Sequence, residues 1–66
     1  MRSNLKTFRE KLGLTQEEMG AMFQMSRQQW CNIEQGRRYG SPEFWLGLQK
    51  KFKLNVDETI KLMEVS

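Results

Sequence analysis

Five stretches of this 66-residue chain place apolar side chains three or four residues apart. Leu5, Phe8 and Leu12 make the first, Met19 and Phe23 the second, Trp30 and Ile33 the third. Trp45, Leu48 and Phe52 make the fourth, and Val56, Ile60 and Met63 the fifth. Residues so spaced share one face of an α-helix, so the pattern predicts five amphipathic helices with these residues facing inward. The polar residues between the stretches mark the helix ends. Thr15 with Glu18 spells a capping box, and Leu14 with Met19 a hydrophobic staple. Ser26 with Gln29 and Met25 with Trp30 repeat the same grammar eleven residues later, counting from Thr15 to Ser26. Two helix starts that close force a tight turn near Gln24. The first helix runs from about Asn4 to Lys11 and stops at Gly13. Gly36 supplies a left-handed C-terminal cap to the third. Ser41 followed by Pro42 opens the fourth, and Leu54-Asn55-Val56-Asp57-Glu58 repeats the capping pattern before the fifth.

Gln16 to Gln35 therefore reads as two short helices joined by a tight turn, with Gly20 beside Met19 where two helices would approach closely. A helix-turn-helix sets its second helix in the DNA major groove. At about 100° per residue, Arg27, Gln28, Cys31 and Asn32 fall together on that helix, opposite Trp30 and Ile33. Arginine can pair bidentately with guanine, and glutamine or asparagine with adenine. A merely solvated face more often carries Glu and Lys, whereas here no acid precedes Glu34. Residues 27–35 are the expected reading helix, with Arg27, Gln28, Asn32 and Cys31 at the bases. Cys31 is small enough to touch a thymine methyl, and a bulky thiol adduct there would not fit the groove. Gln29, Arg37 and Arg38 are candidates for phosphate contacts. Trp30 and Trp45 read as core residues rather than base-stacking platforms, and Lys50, Lys51 and Lys53 as a solvated face.

Leu5 to Met63 resembles the XRE family, the Cro- and lambda-repressor-like DNA-binding domains. The stretches that carry the likeness are LKTFREKLGLTQEEMG, MSRQQWCNIEQGRR and, more loosely, LNVDETIKLM. The resemblance implies an all-α fold: a compact five-helix lambda-repressor-like domain with a central helix-turn-helix, binding DNA usually as a dimer. It gives Gln16 the role of a phosphate contact at the start of the second helix. It matches Arg27, Gln28 and Asn32 to base-reading positions, and it pairs Arg9 with Glu34 in a buried ion pair between the first and third helices. Two positions depart from the family pattern. Gln24 stands where a turn glycine is usual, and Pro42 comes later than the proline of many members.

Composition narrows the partners. Residues 1–66 have the length of one domain, without room for a separate ligand-sensing module, so no small-molecule ligand is expected. A chain this short buries only about 60% of its unfolded surface and is marginal in stability. Eleven Lys and Arg against eight Asp and Glu give a net charge of +3 and a pI near 9.4, a mild excess that suits a polyanion. No apolar run is long enough to span a membrane, and no signal peptide is visible, so a cytoplasmic protein is expected. One Cys and no His exclude a disulfide framework and argue against zinc and against an enzyme; no cofactor is expected. The expected partners are double-stranded DNA and a second copy of the chain. Phe44, Leu46, Leu62 and Val65 form a candidate dimer surface, partial burial within one copy being the alternative. The same residues leave open a second function, a helix-turn-helix module that grips a partner protein, as an antitoxin grips a toxin.

Overall fold

The computed structural model describes residues 1–65. Among them lie five α-helices and no strand: α1 (Ser3–Lys11), α2 (Gln16–Ala21), α3 (Arg27–Glu34), α4 (Pro42–Lys51) and α5 (Val56–Met63). Their starts follow local chemistry. Thr15, Ser26 and Asn55 each accept from the backbone N–H three residues on, while Glu18, Gln29 and Glu58 reach back to the cap residue's own N–H. Ser41 Oγ accepts from Phe44 N at 3.1 Å, with Pro42 in the first turn. Each such cap stabilises its helix by about 1 kcal/mol.

Four of the helices end in one and the same way. The N–H of Leu14, Met25, Arg37 and Leu54 donates back to the carbonyl of Arg9, Gly20, Asn32 and Gln49 respectively. The residue before each donor bonds three residues back, to Glu10, Ala21, Ile33 and Lys50. This paired pattern is the Schellman motif, which puts its penultimate residue in the left-handed region. Those residues are Gly13 (φ 73°), Gln24 (φ 57°), Gly36 (φ 82°) and Lys53 (φ 53°). A side chain in that region costs about 1–2 kcal/mol. Gln24→Gly should therefore stabilise the domain, offset in part by the greater freedom of glycine in the unfolded chain. A net gain of about 1 kcal/mol would raise the melting midpoint by roughly 4–8 °C. A midpoint unchanged or lower would count against strain at this turn.

The core is built from Leu5, Met19, Trp30, Ile33, Phe44, Trp45, Leu48 and Leu62, ringed by half-buried Phe8, Leu14, Phe23, Met25, Phe52 and Leu54. Phe44 links its aromatic side chains, its ring centroid 5.3 Å from Phe23, 5.7 Å from Trp30 and 4.9 Å from Trp45. Gly20 on α2 packs against the backbone of the turn that leads into α3. A Cβ there would lie 3.0 Å from the Met25 carbonyl oxygen and 3.1 Å from that of Ser26. Both contacts are backbone, so a side chain at Gly20 would force the hairpin apart.

The structure corrects three sequence expectations. Leu12 is 43% exposed, because α1 has ended before it, and Leu14 turns inward instead. On α5 the inner face carries Thr59 and Leu62, while Val56, Ile60 and Met63 point to solvent at 61, 50 and 40% exposure. Thr59 tolerates burial because its hydroxyl donates to the Asn55 carbonyl at 2.9 Å. Phe44 and Leu62, assigned to a candidate dimer surface, are core residues, whereas Leu46 and Val65 are exposed.

Candidate nucleic-acid interface

Helix α3 is positioned from its inner side. Trp30, Ile33 and Glu34 are buried, and these three side chains fix the rotation of α3 about its axis. Glu34, with no exposed surface, is the hub. Arg9 Nε on α1 donates to Glu34 Oε2 at 2.6 Å, and Trp30 Nε1 donates to the same oxygen. Gln16 Nε2, from the start of α2, donates to Oε1 at 3.2 Å. Burial by itself pushes the Glu34 carboxyl up. The hydrogen bonds from Arg9, Trp30 and Gln16, with the charge of Arg9, outweigh that and hold it below the ordinary carboxylate range. One carboxylate thus ties α1, α2 and α3 together.

The outer side carries the candidate contacts. Arg27, Gln28 and Gln29 are exposed, and Cys31 and Asn32 are half-buried. Gln28 Nε2 donates to Asn32 Oδ1 at 3.0 Å, so these two amides form one unit. Gln29 is partly committed: its Oε1 accepts from Ser26 N at 2.8 Å in the capping box, and its amide nitrogen is the end left to meet a phosphate. Gln16 is half-buried, and its amide nitrogen serves Glu34. Any phosphate contact by Gln16 has to share that amide with the hub. Arg37 and Arg38 are exposed in the loop after α3, and their backbone N–H groups donate to the Asn32 carbonyl at 2.9 and 3.3 Å. That loop is therefore fastened to α3, and two cations stand at its end.

Arg2 is a residue the sequence pattern did not mark. It is 3% exposed. Its guanidinium donates to the carbonyls of Ile33 (2.7 Å), Arg38 (2.7 Å) and Met63 (2.9 Å). Its own backbone N–H donates to Glu34 O at 2.6 Å, and its guanidinium carbon lies 5.5 Å from the Trp45 ring centroid. Arg2 thereby gathers the C-terminal ends of α3 and α5, where the helix dipoles are negative. No hydrophobic period leads to such a residue. Its only trace in the sequence is a cation just ahead of the first helix.

A family model described as a helix-turn-helix domain matches residues 2–60. This chain belongs to that helix-turn-helix family. The match opens on Arg2 and runs into α5, so the helix-turn-helix domain takes in the Glu34 hub, α3 and the arginine loop. Comparison with curated proteins and with solved structures gives no match. Among the described residues, no helix is long and apolar enough to cross a membrane.

Proposed function

We propose that this helix-turn-helix domain is a sequence-specific double-stranded DNA-binding regulator of transcription, a repressor of the XRE type. It reads the major groove with α3 and binds a palindromic operator as a homodimer. The observation that carries this reading is the division of α3 into two faces. Trp30, Ile33 and Glu34 hold the helix rigidly from within, while Arg27, Gln28, Cys31 and Asn32 are presented outward. A rigid helix bearing amides and a guanidinium is what base-edge discrimination requires. Gln29, Arg37 and Arg38 supply affinity and register through phosphates, with Gln16 sharing its amide between phosphate and Glu34.

The dimer rests on the outward apolar face of α4 and α5. Leu46, Val56, Ile60, Met63 and Val65 are all exposed and share one groove. That groove begins beside the end of the reading helix, where Val65 lies against Gly36. Two copies joined there bring their reading helices to either side of a two-fold axis, which suits half-sites about one helical turn apart. Bound across a promoter, the dimer represses by excluding polymerase. The same face supports the second reading, a module that grips a partner protein.

Selection of bound sites from a random duplex pool tests the proposal. The expected result is an enriched motif made of two inverted half-sites about one turn apart. Enrichment of no motif, with binding that follows salt alone, would overturn it and leave the protein-interaction reading.

A further inference from the structure

The Gln28–Asn32 hydrogen bond carries an inference about what the reading helix recognises, resting on the DNA-binding reading above. Gln28 and Asn32 stand one turn apart on α3, and Gln28 Nε2 donates to Asn32 Oδ1 at 3.0 Å. That bond consumes one donor hydrogen of Gln28 and one acceptor position of Asn32. At the free ends of the bonded unit remain an acceptor, Gln28 Oε1, and a donor, Asn32 Nδ2. If both amides turn over, the roles exchange and the unit still offers one acceptor and one donor. Arg27 and Gln29 do not share this unit: Arg27 has only donors, and Gln29 Oε1 is held by the Ser26 cap.

Adenine presents its major-groove edge as a donor, N6–H, beside an acceptor, N7. Guanine presents two acceptors, O6 and N7. The amide pair is complementary to adenine. Met by the same two outer ends, guanine would set a lone pair against the acceptor oxygen; only the second hydrogen of Gln28 Nε2, which lies between the two amides, would be left to replace it. We propose that Gln28 and Asn32 act as one preformed clamp that reads a single adenine in each half-site, each amide making one of the two base contacts, rather than as two independent readers of two bases. Because the amides already bind one another, little side-chain freedom is lost when the base arrives.

The test takes the site selected by the wild-type chain and every single base-pair change within one half-site. Affinities are measured by gel shift at fixed salt for wild type, Gln28→Ala, Asn32→Ala and the double variant, with melting curves to show that each variant is folded. The clamp predicts that both single variants lose discrimination at one and the same A·T pair, by about 5- to 150-fold. It also predicts that the double variant loses little more than either single one, since the partner left behind has no clamp to complete. Loss at two different base pairs, with additive effects in the double variant, would overturn the clamp while leaving DNA reading intact. A G·C pair at the shared position would overturn the assignment to adenine. Absence of any selected site would remove the DNA-binding reading itself, and the clamp with it.

Discussion

Glu34→Ala should leave the domain unfolded, or close to it, at room temperature. The substitution strands the Arg9 guanidinium in a buried position and takes away the acceptor of Trp30 Nε1 and Gln16 Nε2. Breaking a buried pair from one side costs about 3–5 kcal/mol. A 66-residue domain at about 0.05–0.15 kcal/mol per residue has about 3–10 kcal/mol in all, so the loss takes half of it or more at most values in that range. A companion measurement isolates the charge. The folded-state carboxyl of Glu34 lies below its unfolded value. Between those two values the unfolded chain binds the extra proton, so stability rises with pH there. Its contribution is complete above the ordinary glutamate range and is lost as pH falls through the lowered folded value. Glu18, held below its ordinary value by the Thr15 hydrogen bonds, acts in the same direction. Urea titrations at pH 6 and pH 3 should show a lower midpoint in acid, and Glu34→Gln should flatten that difference. Should Glu34→Ala melt within a degree or two of wild type, the hub would not be holding the helices together.

Arg2→Met should come next in severity. It removes three hydrogen bonds: the carbonyls of Arg38 and Met63 lose this donor, and that of Ile33 keeps only the Gly36 N–H. The Ile33 contact is buried and the other two are partly so, so water can satisfy some of the deficit. A loss of about 2–4 kcal/mol is expected, within the range for stranded backbone acceptors, with a midpoint lower by more than about 10 °C. Arg2→Lys should recover only part of it, since an ammonium cannot reproduce the planar fork that spans separate carbonyls. Hydrogen exchange should locate the damage: amides of α5 should lose protection before those of α2 and α3. A melt within a few degrees of wild type, or uniform loss of protection, would show that Arg2 is not the clasp for α5.

How much of this was legible in the sequence depended on whether the cause was local. Thr15, Ser26 and Asn55 announce their helices because a cap and its reciprocal partner lie within four residues of one another. Gln24 stood out because the spacing of two caps left room for only one tight turn. Lys53 occupies the same left-handed position at the end of α4, two residues before the Asn55 cap, yet lysine carries no turn signature. The α5 stripe failed for a different reason. Val56, Ile60 and Met63 do share a face, but periodicity does not say which side the rest of the chain covers. The more polar side went inward because Thr59 satisfies its hydroxyl within the helix and Leu62 reaches the core. At the candidate interface, the outward set on α3 follows from helix geometry. The contact between Arg9 and Glu34 came only through family resemblance, and the Gln28–Asn32 bond and the Arg2 clasp came from neither.

The two faces of α3 also bear on how such a chain can diversify. Trp30, Ile33 and Glu34 hold the helix in the fold, while Arg27 and Gln28 project from it without touching the core. On the proposed DNA-binding function, exchange of the outward residues would alter the preferred operator at little expense in folding, so descendants of one ancestral gene could part company over their targets while inheriting a common scaffold. For the engineer the same separation makes α3 a replaceable cassette, provided the Glu34 hub travels with it.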